Sequence, residues 1–232
     1  MNLTKVLTAL TIAAGLAFSA TATAKPVGIT PTLSEVTVKH NGKDVKITRD
    51  QDNKAAVDPA FGKTSRPCPP FCIQPMNLGK GIQTIGEVEV IDYAKKMSAG
   101  DSNIVLVDSR TPDWVAKGTI PSAVNVSWVD LTPSKGATTE GIMNVMTSQF
   151  GVKVADGKDD VDVDEAIAGG DTSKVFDFTN AKTLVLFCNG MWCGQSPASI
   201  AALRKFGYPA DRIKYFRGGM QTWKILGLTT VK

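Results

Sequence analysis

The sequence is poor in histidine, which excludes one class of cofactor site at once. Its 232 residues include a single histidine, His40, and no histidine directly follows a cysteine. Covalent haem attachment requires a histidine directly after the second cysteine of a Cys-x-x-Cys pair, so it is excluded. The four cysteines form two close pairs, with three residues between Cys68 and Cys72 and four between Cys188 and Cys193. Zinc knuckles typically have two intervening residues, so we expect no metal and no other cofactor.

The sequence also lacks a strong charge imbalance and, after its first 24 residues, a long apolar stretch. The formal net charge is +4, and the basic residues are scattered along the chain. Nucleic-acid-binding proteins usually concentrate lysine and arginine in a patch, so no nucleic-acid partner is expected. No stretch after residue 24 is long and apolar enough to span a bilayer, so no membrane span is expected in the mature chain. A hydrophobic content of 43% is ample for a packed core.

The first 24 residues have the organisation of a bacterial signal peptide. Lys5 precedes an apolar stretch from Val6 to Ala20, and Ala22-Thr23-Ala24 has the small-x-small form of a cleavage site. The apolar stretch is short, rich in alanine and threonine, and followed by no stop-transfer pattern, which disfavours a membrane anchor. We therefore predict cleavage near Ala24 and a periplasmic or secreted protein.

Residues 25–84 predict an N-terminal extension with a β-hairpin and a proline-rich loop. Glu35 to Thr48 alternates apolar and polar residues around Asn41-Gly42, a dipeptide that favours a two-residue turn. Such a turn places four aliphatic side chains on one face, which is expected to dock on the main domain or on another subunit. From Asp50 to Gln83 five prolines interrupt regular structure, so an extended segment carrying Cys68 and Cys72 is predicted.

From residue 85 onwards the pattern is that of a layered α/β domain. The continuous apolar runs Ile104–Val107 and Leu184–Phe187 indicate strands buried on both faces, as in a parallel sheet. Val124–Val126 and Ile213–Phe216 are further strand candidates, and residues 90–97, 141–150 and 196–206 have helical spacing. Residues 151–183 are acidic and are predicted to form a solvated surface insertion. A calcium site at Asp160, Asp162 and Asp164 is the alternative, but the glycine and distal glutamate of an EF-hand loop are missing.

The most informative unit is a strand, a cysteine, a glycine-containing loop and a helix. Cys188 directly follows the second apolar run, and Ser196-Pro197 is predicted to open the next helix, with Ser196 as its N-cap. The sulfur would then lie at the carboxyl end of a parallel strand, where loop amides and a helix N-terminus favour an anion. Because the same environment stabilises a thiolate, Cys188 is predicted to be a nucleophile rather than an inert buried thiol.

These residues resemble the rhodanese-like sulfurtransferases. Three segments in the same order carry the resemblance: Asp108–Val126, the cysteine loop and Phe216–Trp223. The resemblance implies a doubly wound parallel sheet flanked by helices over residues 85–232, and a catalytic Cys188 that accepts a sulfur atom as a persulfide. A thiol acceptor would then remove this sulfur. The predicted substrate-binding residues are Asn189, Gly190, Met191, Trp192, Gly194, Gln195, Ser196 and Arg217.

The sequence departs from the family pattern in its cysteine loop. Thr119 stands where the family usually has histidine, and the loop appears about two residues longer than usual, lacks arginine and contains Trp192 and Cys193. Without a loop guanidinium, thiosulfate is less favoured, and a polysulfide or another small sulfur-containing anion is a plausible donor. Trp192 is expected to line or cover the pocket, whereas Trp114 and Trp223 are expected in the core.

The remaining candidate residues have two interpretations each. Cys193 is either a resolving thiol that forms a reversible disulfide with Cys188 or a residue that only fills the loop. Cys68 and Cys72 form either a local disulfide or a second dithiol that exchanges with the first pair. Asp108 and Arg110 either shape the rim of the site or pair with each other in a supporting role.

The leading prediction is thus an exported sulfurtransferase or sulfane-sulfur carrier. The alternatives are a thiol–disulfide or oxyanion reductase using Cys188 and Cys193, the phosphatase branch of the same fold, and a non-catalytic binding module. The last would dock a protein partner through an exposed aliphatic face of the hairpin.

Overall fold

The computed structural model describes residues 26–232 of the chain. The predicted signal peptide, residues 1–24, lies outside the described residues. Among the residues described, no helix has both the length and the hydropathy to cross a membrane. The strands are β1 (Glu35–His40), β2 (Lys43–Thr48), β3 (Gln83–Ile85), β4 (Ile104–Asp108), β5 (Val124–Asn125), β6 (Lys153–Val154), β7 (Phe176–Asp177), β8 (Thr183–Phe187) and β9 (Ile213–Phe216). The helices are α1 (Pro59–Gly62), α2 (Glu87–Ser98), α3 (Pro112–Val115), α4 (Thr139–Asn144), α5 (Asp160–Gly169), α6 (Gln195–Lys205) and α7 (Gly219–Ile225).

The centre of the molecule is a five-stranded parallel sheet with the order β3-β9-β8-β4-β5. The two apolar runs form β4 and β8, which pair along their whole length from Ile104 opposite Thr183 to Asp108 opposite Phe187. All five residues of β4 are buried, as expected of a strand covered on both faces. The predicted α/β class and parallel sheet are therefore confirmed.

Alternate residues of the strands enter two separate cores. Leu106 and Val185 belong to the core on the α2 side, whereas Val107 and Leu186 belong to the core that includes residues of α4 and α6. This division follows from the two-residue period of a strand, whose successive side chains point to opposite faces. The two cores place helices on both sides of the sheet and leave its carboxyl edge open for a site.

The predicted hairpin forms with the expected register. Val36 pairs with Ile47, Val38 with Val45 and His40 with Lys43, around a turn with positive φ at Asn41 and Gly42. The hairpin docks on α2, and the backbone N–H of Lys39 donates to Oγ of Ser98 at 2.7 Å. Because Val36, Val38 and Ile47 are buried in the core on the α2 side, the expectation of an exposed aliphatic face is wrong.

The acidic segment 151–183 is more than the solvated surface insertion that was predicted. It contains β6, α5 and β7, with β6 and β7 paired antiparallel. Its residues Val163, Val175 and Phe176 are buried in the core beside α6. Asp159 caps α5 and accepts from the backbone N–H groups of Val161 and Asp162. Within residues 26–232 no group of three or more His, Cys, Asp or Glu side chains could hold a metal ion.

Two further local predictions need correction. Gly194, rather than Ser196, is the N-cap of α6, which begins at Gln195. Ser196 therefore lies inside the first turn, and its side chain is turned away from solvent. Trp223 is fully buried as predicted, but Trp114 is only half-buried, with its ring against Phe61 and the Lys117 ammonium 4.2 Å from its centroid.

Candidate active site

Cys188 lies at the carboxyl edge of the sheet, directly after β8. The loop Asn189–Gly194 leads from it to α6, whose first turn brings Ser196 back under the loop. Only 2% of Cys188 and 5% of Cys193 is exposed. Both cysteines are thiols, whereas Cys68 and Cys72 are joined in a disulfide. Of the alternatives weighed for the extension, the local disulfide is therefore the one observed.

The segment that begins α7 holds the backbone of the cysteine loop. The N–H of Met220 donates to the carbonyl of Cys188 at 2.9 Å, and the N–H of Gln221 donates to the carbonyl of Asn189 at 3.0 Å. A Cβ atom on Gly219 would lie 2.2 Å from the carbonyl oxygen of Cys188. Glycine is thus required there, because any side chain would clash with this carbonyl oxygen.

The environment of Cys188 favours its thiolate. Burial raises the pKa of this thiol, but hydrogen bonds from the Cys193 thiol, the Ser196 hydroxyl and the backbone N–H groups of Ser196 and Gly190 lower it to about 7. The hydrogen bond to Cys188, burial and the nearby charge all raise the pKa of Cys193. At neutral pH Cys188 is therefore more readily ionised than Cys193, which stays protonated. The Cys193 thiol donates to Gln195 Oε1 at 3.7 Å, and the Cys188 thiol, when protonated, donates to the carbonyl of Cys193 at 3.2 Å.

Two buried hydroxyl groups near this site were not singled out from the sequence. The hydroxyls of Ser199 and Tyr215, like that of Ser196, are buried and have no hydrogen-bond partner at ordinary distance within the described protein. The Ser196 hydroxyl therefore acts on the Cys188 thiolate from a somewhat longer distance. Burial and the charge of Cys188 raise the pKa of Tyr215, so its hydroxyl remains a donor. Only the alternation along β9 marks Tyr215 as facing α6, and that pattern is equally typical of an ordinary core tyrosine.

Asp108 and Arg110 form a buried ion pair that contacts the cysteine loop at Asn189. Arg110 Nη2 lies 2.5 Å from Asp108 Oδ2, and both side chains are almost fully inaccessible. The hydroxyl of Thr119 donates to Asp108 at 2.7 Å, and Arg110 Nη1 lies 3.4 Å from Oδ1 of Asn189. Because the charges satisfy each other and neighbouring backbone groups, the pair has the supporting role and leaves no cation for a substrate.

The N-terminal extension covers the other side of the cysteine loop. The N–H of Gln74 donates to the carbonyl of Met191, and Arg217 Nε donates to the carbonyl of Gln74, each at 2.8 Å. Trp192 is half-buried and donates from Nε1 to Gln221 Oε1 at 2.9 Å. Trp192 therefore joins the cysteine loop to α7, and Arg217 is held beside the loop by its bond to Gln74. That Trp192 lines or covers a substrate pocket stays a prediction. The cover contributed by the extension was not predicted.

A model of the rhodanese-like domain matches residues 90–226, which is more than half of the chain. The chain belongs to the rhodanese-like family. Comparison with curated proteins finds no match. The matched region contains the sheet strands from β4 to β9, the cysteine loop and the α7 segment. The hairpin and the disulfide segment precede it, so the cover over the cysteine loop is an addition to the rhodanese-like domain.

Membership of the family indicates a sulfurtransferase or sulfur-carrier function in general terms. The site has the parts that this chemistry requires: a low-pKa thiol, amide donors around it and a helix that begins beside it. The loop has no arginine, so within it only backbone N–H groups and the start of α6 are available to an anionic donor.

Proposed function

We propose that this protein is an exported sulfurtransferase or sulfane-sulfur carrier that forms a persulfide on Cys188. The Cys188 thiolate would attack the outer sulfur of thiosulfate or the terminal sulfur of a polysulfide. The S–S bond of the donor would break, and sulfite or a shortened polysulfide would leave with the electron pair. A thiolate acceptor would then attack the outer sulfur of the persulfide, and the Cys188 thiolate would leave.

The observation that carries this proposal is the position of Cys188 directly after β8, with the backbone N–H groups of Gly190 and Ser196 beside its sulfur at the start of α6. These donors lower the pKa of the thiol to about 7 although it is buried. Desolvation alone would favour the neutral thiol, so the donors around the sulfur must outweigh it. The N–H groups of Gly190 and Ser196 can stabilise the negative charge on either sulfur of a persulfide in the same way. A structural cysteine has no need of such donors.

Mass spectrometry of the reduced mature protein tests the proposal. After incubation with thiosulfate or with inorganic polysulfide, we expect the intact mass to increase by one sulfur atom, which peptide mapping assigns to Cys188. Cys188→Ser should gain no sulfur while keeping its unfolding transition. An unmodified Cys188 with both donors would contradict the proposal and favour the non-catalytic binding module.

A second candidate function is a thiol–disulfide or oxyanion reductase that uses Cys188 and Cys193. Cys188 Sγ lies 3.2 Å from the carbonyl oxygen of Cys193, so the two cysteines are neighbours in the same loop. Oxidation of the pair would be seen as a loss of two hydrogens linking the two peptides. A Cys193→Ser variant that still acquires and transfers sulfur would contradict a required resolving role for Cys193.

Export is the remaining part of the proposal. It is supported by Lys5, the apolar stretch and Ala22-Thr23-Ala24, and a Cys68–Cys72 disulfide is typical of an oxidising compartment. N-terminal sequencing of the protein from the periplasmic or secreted fraction should begin near Lys25. Recovery of the uncleaved chain in the cytoplasm would contradict export.

A further inference from the structure

The disulfide segment of the extension, residues 66–74, makes a continuous set of contacts with the cysteine loop. Its end is fixed by Gln74, whose backbone bonds to Met191 on one side and to Arg217 on the other. Phe71 packs its ring edge against Trp192, with 5.6 Å between the ring centroids. The Cys68–Cys72 disulfide links the two ends of a short loop that carries Phe71. The segment therefore packs directly against the cysteine loop, and we call residues 66–74 the wall of this loop.

Arg66 brings a guanidinium group to this wall. Its Cζ atom lies 3.9 Å from the ring centroid of Trp192 and 5.4 Å from that of Phe71. The Nε atom of Arg66 is buried and has no hydrogen-bond partner, while Nη2 lies 3.3 Å from the carbonyl of Ala60. No carboxylate of residues 26–232 forms a salt bridge with Arg66. The charge of the guanidinium therefore has no carboxylate partner among the described residues, although its Nε atom is covered by the surrounding side chains.

We propose that Arg66 is a specificity-determining residue that binds the anionic end of the sulfur donor. Stacking on Trp192 fixes the guanidinium plane, and the disulfide holds the backbone from which it extends. The cysteine loop contains no arginine. Arg217, within the matched region, uses Nε to hold the carbonyl of Gln74, so Arg66 is a second cation at this loop and comes from outside that region. Arg110 cannot take this role because Asp108 neutralises it in the buried pair.

The proposed substrate class is a small sulfur anion, such as thiosulfate or a polysulfide anion. The inference deepens the proposed function and rests on it for the identity of the ligand. The positive potential at the cysteine loop, however, can be measured without sulfur transfer. Cys188 reacts with iodoacetate, which is an anion, and with iodoacetamide, which is neutral, by the same displacement of iodide by the thiolate. The ratio of the two rates therefore reports the local charge.

The first experiment compares this ratio in the wild-type protein, Arg66→Gln and Lys43→Gln. The proteins are used with the Cys68–Cys72 disulfide intact, and modification of Cys188 is followed by peptide mass. We expect Arg66→Gln to lower the iodoacetate rate about three- to tenfold relative to iodoacetamide. Lys43→Gln removes the same charge from the hairpin turn and should leave the ratio unchanged. An unchanged ratio in Arg66→Gln would overturn the proposal.

The second experiment tests whether the disulfide positions Arg66. The double variant Cys68→Ser/Cys72→Ser keeps the arginine but removes the covalent closure of the wall. We expect its iodoacetate-to-iodoacetamide ratio to fall toward that of Arg66→Gln. A wild-type ratio in a double variant that unfolds at the wild-type temperature would refute the positioning role of the disulfide.

Steady-state kinetics with thiosulfate and polysulfide as separate donors distinguish the substrate from the mechanism. Arg66→Gln should raise the KM for the donor that it binds and change kcat little, because Arg66 is not proposed to touch the reacting sulfur. Arg66→Lys should restore part of the alkylation ratio but less of the KM, since lysine lacks the planar fork. A charge effect on alkylation without any sulfur transfer would support an anion site and contradict the proposed function. If the protein transfers sulfur but Arg66→Gln changes neither the alkylation ratio nor the KM, the proposed function would be supported and the role of Arg66 would be contradicted.

Discussion

At the scale of single residues, the reactivity of Cys188 depends on which groups donate to its sulfur. Burial opposes the thiolate, and the Cys193 thiol, the Ser196 hydroxyl and two backbone N–H groups together outweigh it. Ser196 can donate because α6 begins one residue before it, which turns its side chain inward instead of leaving it as a solvent-facing cap. The displaced helix start is therefore a chemical feature of the site.

Removal of the Ser196 hydroxyl should make Cys188 less acidic. In Ser196→Ala one donor to the thiolate is lost, so we expect the pKa of Cys188 to rise from about 7 by about one pH unit. A higher pKa means less thiolate at neutral pH, so the alkylation rate at pH 7 should fall several-fold and recover at higher pH. The rate of iodoacetamide modification of Cys188 as a function of pH measures this shift.

Ser199→Ala is the matched control, because Ser199 carries the same buried hydroxyl one turn later in α6. Its hydroxyl is not among the groups that lower the pKa of Cys188. The pH profile of Ser199→Ala should therefore match that of the wild type. Equal shifts in both serine variants would show that the change arises from packing of the helix rather than from the hydrogen bond.

At the scale of elements, the site depends on contact between the start of α7 and the loop after β8. Hydrogen bonds from Met220 and Gln221 fix the carbonyl groups of Cys188 and Asn189. Gln221 also accepts from Trp192 and donates to the carbonyl of Phe61, so one side chain joins α7, the cysteine loop and the extension. These contacts require α7 to approach the loop at backbone distance.

Gly219→Ala should disrupt this approach. The added Cβ would lie 2.2 Å from a backbone oxygen and would sit on a residue with φ +54, so both a clash and backbone strain are introduced. We expect a loss of about 2–4 kcal/mol in the free energy of unfolding, measured by urea titration. The thiolate pKa of Cys188 should also change, because its carbonyl must move.

Gly157→Ala separates the effect of backbone strain from the effect of the steric clash. Gly157 has φ +74, but a Cβ there would meet no atom within 4 Å. The free energy of unfolding of this variant should fall by only about 1 kcal/mol, because alanine is strained in the left-handed backbone conformation but meets no clash. If Gly219→Ala cost no more than Gly157→Ala, the close approach of α7 to the cysteine loop would not be rigid.

At the scale of the whole molecule, the extension and the rhodanese-like domain share one core. Val36, Val38, Ile47 and Phe61 of the extension pack in the same cluster as Leu106, Val185 and Trp223. The extension also closes the site through the disulfide segment. The part of the chain before the matched region therefore contributes to stability as well as to the surroundings of Cys188.

A chain that begins at Gly81 should lose its cooperative unfolding transition. Four large apolar side chains of the shared core would be missing, each contributing about 1.5–3 kcal/mol on burial. Their sum is comparable with the total stability of a typical domain. Thermal unfolding followed by near-ultraviolet circular dichroism checks this. A truncated chain that unfolds cooperatively at the wild-type temperature would show that the rhodanese-like domain is independent of the extension.

Local pattern alone accounts for much of the fold. The apolar runs at β4 and β8, the Asn41-Gly42 hairpin and its register, and the position of Cys188 at a strand end were all predicted, because each depends on residues close in sequence. The sheet strands are buried on both faces and so carry an unbroken apolar signal. The hairpin has one turn type and an alternating pattern that permits a single register.

Prediction from local sequence patterns was wrong where the local signal was weak and contacts with residues distant in sequence determined the structure. The segment 151–183 is acidic overall, so its few apolar residues did not indicate that Val163 and Phe176 enter the main core. Ser196-Pro197 matched a helix start, but α6 begins two residues earlier than predicted, with Gly194 as its N-cap. In both cases tertiary packing overrode a local preference of small energy.

The sequence by itself determined the family, the parallel sheet and the position of Cys188 at the end of a buried strand, because strand patterns and the cysteine loop are contiguous. Only the tertiary structure decided which groups surround that cysteine. Arg66 and Gln74 contact the cysteine loop at Trp192 and Met191, and Tyr215 is close enough to Cys188 to be affected by its charge. No spacing rule in the sequence relates these residues to the loop. Electrostatic and hydrogen-bond energies depend on distances of a few ångström, and those distances exist only once the chain has folded.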